Sequence, residues 1–293
     1  MINKNLSESL TVLVIGATGL IGSTIFKYLS GNTNLMVFGT IRNSADKLFF
    51  LPSQAEKLHS PFLASDYHKW HKVLKKIRPN IVINCLGITK HLGGGNDPLV
   101  TIPINSYFPH YLNACCREYD ARLIHISSDC VFSGNRGGYL ESDIPDAQDF
   151  YGRSKALGEI ADGSAITLRT STIGHELNSA FGLLNWFLGQ ERTCQGFTGA
   201  YFSGITTLEL AKIIERYVIP NDHLHGLYHV GASKISKYDL LTQIACEYDK
   251  KIEIIPNTTF KIDRSLNSDR FYEATGYKPP SWKQLVKEMH LGK

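Results

Sequence analysis

Apolar blocks recur along this chain with two alternating periods. Thr11 to Ile15 (TVLVI) is a continuous apolar, β-branched run, as in a strand buried on both faces of a parallel sheet. In the stretch that follows, Ile21, Ile25 and Leu29 return at helical spacing. Further strands are expected at Met36 to Thr40, near Phe62, and at Ile81 to Asn84, Leu123 to Ser127 and Ile166 to Arg169, with helical text between most of them. Right-handed crossovers stack such units into an α/β, doubly wound parallel sheet with helices on both faces. Beyond Arg169 the alternation loosens. Up to Tyr201 the chain is rich in Asn, Gly and Phe, with a helix expected around Leu183 to Leu188.

Between the first strand and the first helix stands GATGLIG, Gly16 to Gly22. A glycine turn there gathers free backbone N–H groups at the positive end of a helix dipole, which suits a pyrophosphate. Side chains at Gly16, Gly19 or Gly22 would obstruct the turn, the approach of the phosphate, or the packing of helix on strand. The expected dinucleotide-binding set is therefore Gly16, Thr18, Gly19, Leu20, Ile21 and Gly22. At the end of the second strand, Gly39-Thr40-Ile41-Arg42-Asn43 lacks the acid that would take both ribose hydroxyls and repel a 2′-phosphate. Arg42, beside Asn43, can meet that phosphate through a bidentate fork, so NADPH is expected over NADH.

The chemistry comes from YGRSK, the start of YGRSKALGEIA, which reads as a helix and sets Tyr151 and Lys155 four residues apart on one face. A tyrosine of ordinary pKa about 10 carries protons poorly near neutrality unless its phenolate is stabilised, and a nearby cation does that. The intervening RLIHISS reads as a strand ending in two hydroxyls, and its carboxyl end faces the cofactor crevice. Ser128 can then hydrogen-bond a reacting carbonyl oxygen beside Tyr151. Together the motifs point to hydride transfer, with Ser128, Tyr151 and Lys155 catalytic and the last two also touching the cofactor.

In order, GATGLIG, IVINCLGIT, ISSDCVFSG, YGRSKALGE and LRTSTIG resemble the extended short-chain dehydrogenase/reductases, a Rossmann-fold superfamily. FSGITTLELA, GLYHVGASKISKYDLL and DRSLNSDRF carry the likeness over nearly the whole chain, toward the dTDP-4-dehydrorhamnose reductase group. The resemblance implies reduction of a nucleotide-linked 4-keto-6-deoxy sugar, destined for surface polysaccharide. It implies a cofactor domain over residues 1–169, rejoined at about 204–230, and a smaller, interleaved substrate lobe mainly over 170–293. It places Asp66 near the adenine, Gly87 and Ile88 along the cofactor, and Asn105 in support of the active site. On the substrate side it points to Asp129, Asn178 and Arg264, the last in DRSLNS after the strand-like run EIIPNTTFKI. Arg264 suits a diphosphate or sugar hydroxyls, or else a surface salt bridge with Asp263 or Asp269. A homodimer is compatible with the resemblance. So are two other activities: a nucleotide-sugar epimerase, or a non-catalytic NADP-binding regulatory subunit.

The chain departs from the group in two places. Cys130 follows Asp129 where an aromatic residue is usual, and CLGITKHLGGGNDP replaces an alanine-rich loop. There Lys90 and His91 form either a basic lip over the substrate or part of a solvated glycine loop.

Composition narrows the partners. With 293 residues, 43% of them hydrophobic, the chain can bury a large core. No apolar run approaches bilayer length, and MINKNLSESL lacks the order of a signal peptide, so no membrane contact and a cytoplasmic location are expected. A net charge of +4 suits an anionic substrate, but the basic residues are dispersed, so no nucleic-acid partner is expected. The six cysteines show no zinc spacing and read as reduced thiols. His68 and His71 fall on an expected surface helix without a neighbouring cysteine or carboxylate, so no metal is expected.

Overall fold

The computed structural model describes residues 9–60, 62–89, 97–163 and 165–292. Its strands are β1 (Leu10–Ile15), β2 (Leu35–Thr40), β3 (Leu58–His59), β4 (Ile81–Asn84), β5 (Arg122–Ser128) and β6 (Ile166–Thr170). They continue with β7 (Thr172–Ile173), β8 (Thr193–Phe202), β9 (Ile205–Thr206), β10 (Gly226–His229), β11 (Ile235–Ser236) and β12 (Glu253–Asp263). The helices are α1 (Leu20–Leu29), α2 (Pro52–Ala55), α3 (Tyr67–Ile77), α4 (Pro98–Thr101), α5 (Phe108–Glu118) and α6 (Phe150–Leu157). After them come α7 (Leu183–Leu188), α8 (Thr207–Ile213), α9 (Lys237–Glu247), α10 (Asp269–Thr275) and α11 (Trp282–Leu291).

Seven parallel strands form the large sheet, in the order β10-β6-β5-β4-β1-β2-β3. The apolar runs are continuous because both faces are covered. Val12 and Val14 join Ile25 and Phe26 in one core, whereas Leu13 and Ile15 join Trp70, Leu74 and Phe108 in the other. The strand order reverses between β1 and β4, which opens a crevice at their carboxyl ends. A smaller sheet, β11-β8-β12, and the pair β7-β9 are built from the later chain. Helix α8 locks back onto α1. Thr24 Oγ1 donates to Thr207 Oγ1 at 3.1 Å, and Glu215, in the wide π-turn after α8, accepts from Tyr28 and Asn32 at 2.9 and 2.8 Å.

Two sequence expectations shift. The third strand, expected near Phe62, lies at Leu58–His59, because Leu58 and His59 are the residues that pair with Gly39 and Thr40 of β2. Phe62 follows the strand and sets its ring against Trp70. The helix of the YGRSK segment ends at Leu157, because Gly158 abuts residue 105: a Cβ there would lie 1.9 Å from the Asn105 carbonyl oxygen. Among the described residues no helix is long and apolar enough to cross a membrane.

The first turn of α1 explains its glycines. Gly16 has φ +80°, and a Cβ on Gly22 would lie 2.1 Å from Gly16 O. Gly22→Ala gains about 1 kcal/mol of helix propensity, but both atoms in that contact sit on backbone and cannot turn aside. The overlap should win, with a net loss of about 1–3 kcal/mol. Thermal unfolding of Gly22→Ala is therefore expected below wild type, and an unchanged Tm would show that the turn has room to relax.

Candidate active site

Strand β5 delivers its carboxyl end to the crevice, and the chain turns there in a short 3₁₀ segment, Asp129–Val131. Ser128 caps it. Its hydroxyl accepts from Cys130 N and donates to Asp129 Oδ1, each at 3.1 Å. Across from it α6 begins at Asp149, whose Oδ1 accepts from Gly152 N at 2.8 Å. Residue 152 must be glycine, because a Cβ would sit 2.1 Å from Cys130 O. This close approach of helix to turn brings Tyr151 beside the Ser128 hydroxyl.

Burial holds Tyr151 protonated, pushing its pKa well above the ordinary tyrosine value, with Cys130, Asp129 and Asp149 adding to the effect and Ser128 opposing it. One turn on, Lys155 is buried and donates from Nζ to Ile126 O at 2.9 Å. Desolvation lowers its pKa to about 8, against the pull of Glu159 and Cys85. The π-turn 102–107 carries buried Asn105, whose amide reads both polar groups of Ile88, at 2.8 and 2.9 Å, and donates to Ser154 Oγ at 3.1 Å. Asn105 thus ties the loop after β4 to α6, and a Cβ on Gly87 would lie 3.9 Å from Lys155 Nζ.

The glycine cradle fits a dinucleotide. Gly19 caps α1 with no side-chain bond, so the first amides of the helix, at Leu20 and Ile21, remain open at its positive end, with Thr18 beside them. Arg42 and Asn43 are exposed beyond β2, and Asn43 Oδ1 accepts from Ala45 N at 3.1 Å. Asp66 starts α3 and pairs with Lys69 at 2.8 Å. On the substrate side, Asp129 is buried, and its carboxyl is raised by desolvation against the cations Arg264 and Lys237. Arg264 does not pair with Asp263 or Asp269. It donates from Nε to Phe132 O at 2.8 Å, lies 3.5 Å from Cys130 Sγ, and stands 3.7 Å from Asp149. Asn178 is exposed in the loop before α7, and no described contact joins it to the Ser128–Tyr151 cluster. Lys90, like His91, lies outside the described residues.

Sequence reasoning passed over the layer behind the site. Glu159 accepts from Ser127 Oγ at 2.6 Å and from Arg169 Nε and Nη2 at 2.7 and 2.6 Å. The signal was available: an arginine inside the apolar strand ITLRT needs a buried acid. His229 extends the layer. Its Nδ1 donates to Tyr139 O and Asn267 O, leaving Nε2 to accept from Arg169 at 3.2 Å, and burial lowers its pKa to about 4. His71 also departs from expectation, having Cys115 Sγ at 3.6 Å and Glu118 at 3.5 Å beside it. Even so, among the described residues no three His, Cys, Asp or Glu side chains converge to hold a metal ion.

The low pKa of Lys155 links to stability. Its folded value, about 8, lies below the ordinary 10.5, so between them the unfolded chain binds more protons and stability from this group rises with pH. Relative to wild type, Lys155→Met should gain Tm at neutral pH, and the gain should shrink as pH climbs from 8 toward 10. A gap independent of pH would mean that Lys155 is not desolvated.

Comparison with known proteins agrees with this geometry. Residues 10–291 match the family model described as the RmlD substrate binding domain. A dTDP-4-dehydrorhamnose reductase from Aggregatibacter actinomycetemcomitans is 26% identical over 242 residues, covering 74% of this chain and 82% of that protein. The protein of that name from Escherichia coli is 25% identical over 308 residues, covering 96% of this chain and 97% of its own. The fold matches a Bacillus anthracis dTDP-4-dehydrorhamnose reductase solved with NADP, with a TM-score of 0.79 at 20% identity over 96% of this chain and 99% of that one. With the match running from the first residue of β1 to the last of α11, this chain belongs to the RmlD substrate-binding-domain family.

Proposed function

We propose that the protein is an NADPH-dependent reductase of a nucleotide-diphospho-4-keto-6-deoxy sugar, acting in the cytoplasm to supply a deoxy sugar for surface polysaccharide. The observation that carries this reading is a half-buried tyrosine, kept protonated by desolvation, that stands beside Ser128 at the carboxyl end of β5 and one helical turn before the buried Lys155, with an open helix N-terminus at α1. Reductases of dTDP-4-dehydrorhamnose among the relatives, and NADP in the Bacillus anthracis structure, support the same substrate class and cofactor. Residues 1–169, with the return at 204–230, form the cofactor lobe; residues 170–293 mainly form the substrate lobe.

When bound, the nicotinamide supplies a hydride for the sugar C4. The protein does the rest. Gly16, Thr18, Gly19, Leu20, Ile21 and Gly22 receive the pyrophosphate, Arg42 and Asn43 the 2′-phosphate, Asp66 the adenine side, and Gly87 and Ile88 the nicotinamide side. Asn105 fixes that loop. Ser128 orients the carbonyl oxygen, and Tyr151, protonated at neutral pH, donates its proton to it. Lys155 holds the ribose and stabilises the phenolate left behind. Asp129 and Arg264 face the sugar, while Lys90 and Asn178 complete the rim of the substrate site.

A panel of nucleotide-linked 4-keto sugars, followed by NADPH absorbance, tests class and substrate together. Tightly bound NAD with no net NADPH use would make the protein an epimerase, and no turnover with a larger enzyme co-purifying would make it a regulatory subunit. Tyr151→Phe should lose most turnover while NADPH binding stays nearly intact, and adding Lys155→Met should cost far less than the product of the single losses. Near-normal rates in Tyr151→Phe would sink the mechanism. Arg42→Ala should weaken NADPH by about 1.5–3 kcal/mol and leave NADH little changed, whereas equal losses would assign Arg42 to the fold.

A further inference from the structure

Lys237 opens α9 at its first helical position, following the Ser236 cap. A cation there faces the positive end of an 11-residue helix, the less favourable end for it. Its surroundings desolvate it as well: burial lowers its pKa, opposed by Asp129 and Cys130, and its ammonium lies 4.6 Å from the centre of the Phe202 ring. Among the described residues that ammonium donates no hydrogen bond, although it has three donors to offer. The carboxylate that acts on it is Asp129, in the turn that follows Ser128, the residue that orients the carbonyl, so its unused donors are available to a ligand on that side.

Resting on the reductase reading, we propose that Lys237 is a substrate-binding residue which, with Asp129, holds the sugar hydroxyl on the carbon adjacent to the reacting carbonyl. Asp129 Oδ1 is one hydrogen bond, 3.1 Å, from Ser128 Oγ. Oxygens on neighbouring sugar carbons are separated by about one hydrogen-bond length, so an oxygen set next to a carbonyl held by Ser128 falls to the Asp129–Lys237 pair. A hydroxyl both donates and accepts. The carboxylate takes its proton and the ammonium fills its lone pair, a complementarity that a lone acid cannot provide. In a 4-keto-6-deoxy hexose this hydroxyl is the one at C3, since C5 carries the methyl group and the ring oxygen. Arg264, the other cation acting on Asp129, is already engaged by Phe132 O and close to Asp149, so it leaves this role to Lys237.

The test is calorimetric titration of NADP⁺-loaded protein with three probes: dTDP, a dTDP-6-deoxyhexose, and its 3-deoxy analogue. Lys237→Met should weaken the 3-hydroxy sugar about 10- to 100-fold, as for loss of a charge-assisted hydrogen bond, while the 3-deoxy analogue and dTDP each change less than about twofold. Lys237→Arg should recover a large part of the loss, and neither variant should lower Tm, since a desolvated cation is removed or replaced in kind. Equal weakening of both sugars, weakening of dTDP itself, or no weakening would overturn the assignment of Lys237 while leaving the reductase reading intact. Wild-type protein that binds neither sugar would instead overturn the substrate reading, and the inference with it.

Discussion

The constraint on which the rest of the site depends is the burial of the Lys155 ammonium against the Ile126 carbonyl of β5. Left to itself, a buried lysine loses its charge, and its pKa is accordingly lowered to about 8. What keeps it a cation near neutrality is the negative charge of Glu159 behind it. Glu159 is itself largely covered, and Arg169 and Ser127 saturate its carboxylate. Arg169 in turn needs an acceptor on its remaining side, which neutral His229 provides. One buried charge therefore organises four further polar residues in the middle of an apolar sheet.

The same economy of space governs the backbone. Gly152 lets α6 touch the turn after β5, Gly158 lets its far end touch the Asn105 π-turn, and Gly22 lets α1 touch the glycine loop. Each contact lies near or below 2.1 Å for a hypothetical Cβ, so these glycines are required by packing against backbone rather than by a left-handed φ. Gly16, by contrast, combines close packing with a positive φ. The result is a rigid frame in which Tyr151, Ser128 and Lys155 have little freedom to separate, as proton transfer to a positioned carbonyl demands.

The proposed substrate side is assembled differently. Asp129 comes from the large sheet, Arg264 from the end of β12 in the small sheet, and Lys237 from the start of α9. Two cations flank one buried acid, so the acid is held in place from two elements of the later chain. Cys130 lies against Arg264, 3.5 Å from its guanidinium, and acts on Tyr151 as well.

The sequence by itself determined whatever depends on neighbours in the chain. The apolar runs marked six of the seven parallel strands or their near vicinity, GATGLIG marked the turn into α1, and the four-residue spacing of Tyr151 and Lys155 put them on one helix face. Local periodicity and backbone chemistry suffice for these. Tertiary structure decided what depends on long-range contact: the shift of the third strand to Leu58–His59, whose pairing partners lie in β2; the bond from Asn105 to Ile88 and Ser154; and the pairing of Glu159 with Arg169. It also decided that Arg264 turns toward Phe132 and Asp149, not toward its sequence neighbours Asp263 and Asp269, and that Lys237 meets Asp129 more than a hundred positions away. A charge in a sequence has no partner until the chain folds back, and burial, which sets the value of that charge, is a property of the whole molecule.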